Sequence, residues 1–204
     1  MIKLTVHLRL PSGASVIAGD LAIADPDPNR GGALQGEFRY RRSYLDDPRA
    51  FPLDPEHLPL DPGIFEANRP RAGVPAVFED SLPDDWGREL LVRKHHLIRD
   101  EQRIPVFLQR VGRNGLGALG YEESGPRRGN PNPPPAGAAQ ADAALSDLPA
   151  LNAAARRVLA GGPVSDAEDG LDLLFRVGSS PGGARAKVMI FDDGTHWLAK
   201  LPMT

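Results

Sequence analysis

The chain of 204 residues contains no cysteine. Disulfide bonds, zinc sites built from cysteine and thiol nucleophiles are therefore excluded together. The sequence also lacks any apolar run of about eighteen residues, the length that spans a membrane. Its N-terminus alternates charged and apolar residues, whereas a signal peptide has a continuous apolar centre. We therefore expect a cytoplasmic protein with no membrane-spanning segment.

An excess of basic residues is missing as well. The formal net charge is -3, whereas domains that bind nucleic acid are usually basic. Any contact with DNA is therefore expected to be indirect, through a partner. The hydrophobic content of 41% is ordinary for a globular protein, and the length suits one domain or two small ones.

The N-terminal part is predicted to be rich in strands. Apolar and polar residues alternate over residues 2–10, as they do in a strand with one buried face. Residues 16–23 are predicted as its hairpin partner and residues 34–40 as a third strand. His7 falls on the polar face and is expected to be solvated. Residues 46–62 carry several prolines and acidic residues, which predicts a surface loop.

Two helices are predicted in the middle of the chain. Residues 81–84 are typical of a helix start, with the Ser81 hydroxyl as the cap, an early proline and an acid in the first turn. Trp86 follows at helical spacing with later leucines, so we expect it in the core and not facing a substrate. His95 and His96 are adjacent and point to different sides of this helix, which argues against a shared metal. Residues 105–111 are predicted as a shorter helix that ends at Gly112.

Residues 113–121 are rich in glycine, and two interpretations apply. They form either a second anion site or a connection whose glycines permit close packing. We favour the connection, because no helix start follows these glycines.

Residues 125–141 are rich in proline and glycine and are predicted to be an extended linker. The predicted organisation is therefore an N-terminal subdomain at 1–124, the linker at 125–141 and a C-terminal part at 142–204. A helix is predicted over residues 143–160, and residues 165–168 have the pattern of a second helix start, which predicts a short helix through Leu171 and Leu174.

The chemistry of the C-terminal part is expected in residues 173–202. The apolar run 173–177 is predicted as a strand that leads into a Gly/Ser loop. A second strand, a turn at residues 192–194 and a third strand carrying Lys200 follow. Backbone N–H groups of a glycine loop can approach phosphates, and a lysine on the next strand can meet the same phosphates. The alternative is an exposed edge-strand lysine that discourages strand pairing.

Four stretches resemble the HipA family of serine/threonine kinase toxins in order and spacing. They are residues 178–187 (Gly-Ser-Ser-Pro-Gly-Gly-Ala-Arg-Ala-Lys), residues 197–202 (Trp-Leu-Ala-Lys-Leu-Pro), and the upstream segments 77–88 and 107–120. The resemblance covers nearly the whole chain. It implies an α+β fold, in which a small β-rich N-terminal subdomain with helices precedes the start of a kinase-like N-lobe.

The resemblance also implies site residues and partners. Lys200 matches the family's strand lysine that contacts ATP phosphates, and the matching loop residues beside the nucleotide are Gly182, Gly183, Ala184 and Arg185. Ser180 stands at the position of the family's regulatory phosphorylated serine. The implied partners are a HipB-like DNA-binding antitoxin, through which DNA is met indirectly, and a protein substrate of the translation apparatus.

The sequence departs from the family pattern after Lys200. The family's catalytic aspartate and its magnesium ligands have no counterpart before Thr204. We therefore expect no catalytic residue and no metal ligand in this chain, with ATP and Mg²⁺ as cofactors whose metal ligands come from a missing lobe. The 204 residues alone are expected to be inactive as a kinase.

Three functions are compatible with these residues. The first is the N-terminal part of a HipA-like toxin kinase, which supplies the glycine loop and lysine for ATP. The second is a non-catalytic, antitoxin-like interaction module that binds a kinase partner. The third is an unrelated glycine-loop protein that binds a phosphate metabolite.

Overall fold

The computed structural model describes residues 1–67, 69, 71–114, 117–125, 143–161, 169–178 and 185–202, and the structural statements that follow concern these residues. The chain forms two compact units. Unit 1 comprises residues 1–82 and 103–138, and unit 2 comprises residues 83–102 and 139–204. Both strands and helices are present, so the predicted α+β class is confirmed.

The strands are β1 (Ile2–Arg9), β2 (Ser15–Ile23), β3 (Gly36–Tyr40), β4 (Phe65–Glu66), β5 (Leu119–Glu123), β6 (Lys187–Asp192) and β7 (Thr195–Lys200). The helices are α1 (Arg42–Leu45), α2 (Ala76–Asp80), α3 (Asp85–His95), α4 (Ile104–Val111), α5 (Leu148–Leu159) and α6 (Asp169–Val177). The first three strands and the helices at 105–111 and 143–160 were predicted from the sequence. The helix predicted to start at residues 81–84 is α3, but its cap is Asp84, whereas the predicted cap Ser81 lies at the C-terminal end of α2.

Unit 1 is built on a five-stranded antiparallel sheet in the order β4-β3-β2-β1-β5. Alternation along β1 places Leu4, Val6 and Leu8 in the core, where each is at most 2% exposed. The register of β1 against β2 shifts between Val6 and His7, which is a β-bulge. His7 is only 7% exposed. The expectation of a solvated histidine was therefore wrong, because side chains from other elements cover this face.

The loop at residues 46–62 is held to the sheet by two tyrosines. The Tyr40 hydroxyl donates to the Leu58 carbonyl at 2.7 Å and accepts from the Leu53 N–H at 2.8 Å. Tyr44 stacks on Tyr40 with ring centroids 5.7 Å apart, and its hydroxyl donates to the carbonyl of Phe51 at 2.8 Å. Residues 46–62 form the predicted loop, but Leu58 is buried within it.

Unit 2 packs α3, α5, α6 and the β6–β7 hairpin around one apolar core. Trp86 and Leu90 of α3 belong to this core, so the predicted burial of Trp86 is confirmed. Val188 and Ile190 contribute from β6. The remaining core residues are Ala143, Leu151, Ala154, Ala155, Val158, Leu171, Leu174, Val177, Ala186 and Leu201.

Two predictions about unit 2 differ from the structure. The short helix predicted through Leu171 and Leu174 is α6, but it continues to Val177, so the apolar run 173–177 that was predicted as a strand is the end of this helix. Leu171, Leu174 and Val177 recur every three residues and are all buried, which is the spacing of a helix face. Residues 83–102, predicted within the N-terminal subdomain, pack with residues 139–204. This occurs because the apolar side chains of α3 are buried in the core of unit 2.

Candidate functional site

The β6–β7 hairpin is closed by a two-residue turn. Asp193 has φ 46° and Gly194 has φ 75°, and two positive values in succession are typical of a type I′ turn, whose twist matches that of the strands. The predicted turn at residues 192–194 is therefore confirmed. Pairing runs from Asp192 opposite Thr195 to Lys187 opposite Lys200, so the two lysines lie at the open end of the hairpin.

Lys200 lies next to the point where the glycine-rich residues 178–187 join β6. The Leu201 N–H donates to the Ala186 carbonyl at 2.9 Å, which continues the pairing one step beyond the two lysines. Directly opposite residues of an antiparallel pair lie on the same face of the sheet. Lys187 and Lys200, two of the four lysines in the chain, therefore share one face, and Lys200 is exposed.

Lys187 differs from Lys200 in its burial and its partner. It is 3% exposed, and its Nζ donates to Oδ2 of Asp84 in an ion pair. An ammonium group held away from water requires a compensating charge or hydrogen bonds, because desolvation penalises the unpaired charge. Asp84 supplies that charge from the start of α3.

Asp84 also caps α3. Its Oδ1 accepts from the Gly87 N–H at 2.9 Å, so Asp84 is the side-chain cap of this helix. One residue beyond the first helical position, the Trp86 indole Nε1 donates to the Lys187 carbonyl at 3.1 Å. The first turn of α3 thus binds both the side chain and the backbone of Lys187.

The same helix contacts Gly178, at the other end of the glycine-rich residues. A Cβ added to Gly178 would lie 2.4 Å from Leu90 Cδ1 and 2.6 Å from the Leu174 carbonyl oxygen, with Trp86 Nε1 at 3.5 Å. These distances leave no room for a side chain. Glycine is therefore required by close packing at this position.

The structure places some of the predicted site residues. Lys200 lies on β7 and Arg185 is an exposed residue just before β6. Gly182, Gly183, Ala184 and Ser180 lie outside the described residues, so their predicted roles stay predictions. The pairing of Lys187 with Asp84 was not predicted from the sequence. One sequence feature could have indicated it. Lys187 stands between Ala186 and the apolar residues that begin the predicted strand, and a lysine in such a position needs an acidic partner when it is buried.

Comparison with known protein families gives one match. A family model described as HipA N-terminal domain matches residues 16–122, just over half of the chain. The chain belongs to the HipA N-terminal domain family. The matched residues cover nearly all of β2 and β5 and everything between them, including α3, whereas the β6–β7 hairpin lies beyond them. No curated protein matches the chain.

A cluster of polar side chains lies on one face of the five-stranded sheet, and its members Asp20, Arg41 and Glu122 belong to the matched residues whereas His7 precedes them. His7 Nε2 lies 3.1 Å from Glu122 Oε2, and because a carboxylate only accepts, Nε2 carries the hydrogen. Burial and the nearby Arg113 guanidinium lower the pKa of His7, although Glu122 opposes this shift. Arg41 donates two hydrogen bonds to the Asp20 carboxylate, from Nη2 to Oδ1 at 2.7 Å and from Nε to Oδ2 at 2.9 Å. These hydrogen bonds lower the pKa of Asp20.

The glycine-rich connection before β5 in the HipA N-terminal domain has a packing role. A Cβ on Gly120 would lie 3.1 Å from Arg113 Cα and 3.2 Å from the Arg113 carbonyl oxygen. Gly112 and Gly117 have positive φ angles, of 60° and 78°. The packing interpretation of these glycines is therefore confirmed at Gly120, which lies in β5 itself.

Metal-binding clusters and membrane-spanning helices are both missing from the described part of the chain. Within it, no three His, Asp or Glu side chains group closely enough to hold a metal ion. None of the helices observed there combines the length and apolar character needed to cross a membrane.

Proposed function

We propose that this HipA-family chain contributes to ATP binding in a protein serine/threonine kinase of a toxin–antitoxin system. In this proposal Lys200 contacts the phosphates, and Gly182, Gly183, Ala184 and Arg185 lie beside the nucleotide. The observation that carries the proposal is the hairpin register, which sets Lys200 opposite Lys187 at the end where the glycine-rich residues join β6.

The chemistry of the described residues fits a phosphate group. Lys200 is an exposed residue at the end of β7 and carries an ammonium group. Arg185 is an exposed residue just before β6 and carries a guanidinium group. An ammonium binds phosphate as a point charge, whereas a guanidinium can donate two parallel hydrogen bonds. Lys187 does not serve in this role, because its ammonium group is already paired with Asp84.

Magnesium would neutralise charge on the ATP phosphates during phosphoryl transfer. The described residues offer no grouped acidic ligands for it, so we assign neither metal ligands nor a catalytic base to them. The proposed contribution of this chain is to bind and orient the nucleotide.

The proposal extends to regulation and partners. Phosphorylation of Ser180 would add close to two negative charges beside a bound triphosphate, and this repulsion would lower nucleotide affinity. The proposed partners are a HipB-like DNA-binding antitoxin, through which this chain of net charge -3 would meet DNA indirectly, and a protein substrate of the translation apparatus.

The test is calorimetric titration with ATP and Mg²⁺. We expect the wild-type chain to bind, alone or when mixed with a separately produced catalytic lobe of a HipA-like kinase. Lys200→Ala should weaken that binding about tenfold or more, since a charge-assisted contact to phosphate is lost. Lys3→Ala, which removes another exposed lysine from β1, is the matched control and should bind as the wild type does.

A different outcome would favour the interaction-module alternative. If the wild-type chain binds no ATP either alone or in the mixture, the nucleotide proposal is contradicted. The exposed Trp197 and Leu198 on β7, 56% and 45% exposed, would then support a role in protein contact.

A further inference from the structure

The N-terminal half of α3 contacts Gly178 and Lys187, the two ends of the glycine-rich residues 178–187. On the N-terminal side of the stretch, the backbone of Gly178 lies so close to Leu90 that an added Cβ would be 2.4 Å from Leu90 Cδ1. On its C-terminal side, Lys187 is bound through its side chain by Asp84 and through its carbonyl by Trp86. Two positions that are nine residues apart in the chain are therefore fixed to the start of one helix.

The Asp84 carboxylate has two partners at once. Oδ1 accepts from the Gly87 N–H and so starts α3, while Oδ2 accepts from Lys187 Nζ. Both side chains of the ion pair are almost completely buried, because only 7% of the Asp84 side chain and 4% of the Lys187 side chain are exposed. Breaking a buried pair by removing one charge is costly because the other charge is left without compensation. The position of Lys187 therefore depends on Asp84.

The position of Lys200 depends in turn on Lys187. The two residues are opposite each other in the β6–β7 register, and the next backbone hydrogen bond joins Leu201 to Ala186. Like charges directly opposite in a sheet destabilise the pairing. Because Asp84 neutralises Lys187, the strands can pair at this point while Lys200 keeps an exposed charge.

We infer that Asp84 and Trp86 are positioning residues, which hold the ends of the glycine-rich stretch and the open end of the β6–β7 hairpin in the geometry that presents Lys200 to phosphate. The phosphate part of this inference rests on the proposed nucleotide function. Both residues lie within the segment that matches the HipA N-terminal domain, whereas the hairpin lies outside it. The matched segment thus supplies the support for a site that Lys200 completes.

Asp84→Asn is the decisive variant. Asparagine caps a helix as well as aspartate does, so α3 is retained while Lys187 loses its counter-ion. Without nucleotide, hydrogen exchange at the backbone amides of β6 and β7 should accelerate by about tenfold or more, because the open end of the hairpin is released. The affinity for ATP should fall in the same variant.

Asp85→Asn is the matched control. Asp85 is the next residue, it is exposed on the same helical turn, and its loss changes the net charge equally. We expect wild-type exchange and wild-type ATP affinity from this variant. If Asp85→Asn changed exchange and affinity as much as Asp84→Asn does, the inference would be overturned. The cause would then be the negative charge at the start of the helix and not the contact with Lys187.

A double-variant cycle separates positioning from a loss of folding. In a Lys187→Gln background there is no buried ammonium group to compensate, so Asp84→Asn should have little further effect on exchange or on ATP affinity. The inference would be overturned if the effects of Asp84→Asn and Lys187→Gln on exchange and on ATP affinity simply added in the double variant. Trp86→Phe keeps an aromatic ring but removes the donor to Lys187, and it should accelerate exchange in β6 while the chain remains folded.

The exchange and binding results distinguish this inference from the proposed function. Faster exchange in Asp84→Asn with no ATP binding by the wild type would refute the nucleotide function and leave the positioning role supported. Unchanged exchange in Asp84→Asn with normal ATP binding by the wild type would refute the positioning role and leave the nucleotide function in place. Tighter ATP binding by Asp84→Asn would also refute positioning, since Asp84 would then act by masking positive charge.

Discussion

His7 is a buried titratable residue in the sheet of unit 1, with 7% of its surface exposed. Its Nε2 lies 3.1 Å from Glu122 Oε2, and the positive charge of Arg113 also acts on its ring. Both residues are more than a hundred positions away in the chain, so the folded sheet and not the local sequence creates this environment.

The environment of His7 makes unit 1 sensitive to acid. Burial lowers the pKa of His7 below its ordinary value of 6.5, so the unfolded chain takes up a proton at a higher pH than the folded chain does. The free energy of unfolding should therefore fall as the pH drops through 6.5 towards the folded-state pKa, and recover as the pH rises again. Urea unfolding of the wild type at a series of pH values measures this slope.

His7→Gln should flatten the slope in that pH range, because glutamine keeps a hydrogen-bond donor for Glu122 and does not titrate. His57→Gln, at an exposed histidine in the loop of residues 46–62, controls for the substitution itself. An unchanged slope in His7→Gln would show that another group is responsible.

At the level of elements, the end of α6 differs most clearly from the sequence-based prediction. A short apolar run such as residues 173–177 is compatible with either a strand or a buried helix. Packing against α5 settles the choice, because it buries Leu171 and Leu174 from one side. The β6–β7 hairpin was predictable, since an Asp-Gly turn between two apolar runs specifies its geometry locally.

The loop held by Tyr40 gives a prediction about element stability. Burial raises the pKa of Tyr40 to about 12, so its hydroxyl stays protonated and donates to Leu58 across the ordinary pH range. Tyr40→Phe would leave the Leu58 carbonyl and the Leu53 N–H without this partner. We expect a loss of about 1–3 kcal/mol in the free energy of unfolding, measured with urea.

Limited proteolysis of the same variant should show faster cleavage within residues 51–58 than in the wild type. Arg39→Ala, an exposed residue of the same strand β3, serves as the control. A Tyr40→Phe chain as stable and as resistant to protease as the wild type would contradict the anchoring role.

For the whole molecule, the division into units differs from what composition indicates. The predicted linker at residues 125–141 lies outside the described residues apart from Gly125, so it stays a prediction. The chain passes from unit 1 to unit 2 at 82/83 and returns at 102/103, where composition gives no signal. The assignment of α3 to unit 2 depends on which core buries Trp86, and that is a property of the folded chain.

This division predicts the behaviour of a chain that ends at residue 124. It retains the strands of unit 1 but lacks the α5, α6 and β6 side chains that surround Trp86. Trp86 should therefore be exposed to water, and its fluorescence should shift to longer wavelength. Full-length Trp197→Phe, which leaves Trp86 as the only tryptophan, is the reference. Equal emission from the two proteins would contradict the prediction.

The placement of residues 83–102 in unit 2 also affects how relatives could exchange parts. A crossover within residues 125–141 would combine Asp84 and Trp86 from one parent with a Lys187 hairpin from the other. In the resulting hybrid protein, Asp84 would come from one parent and its buried partner Lys187 from the other. Exchanges that keep residues 83–102 together with residues 139–204 should give more folded progeny than exchanges that follow the linear order of the chain.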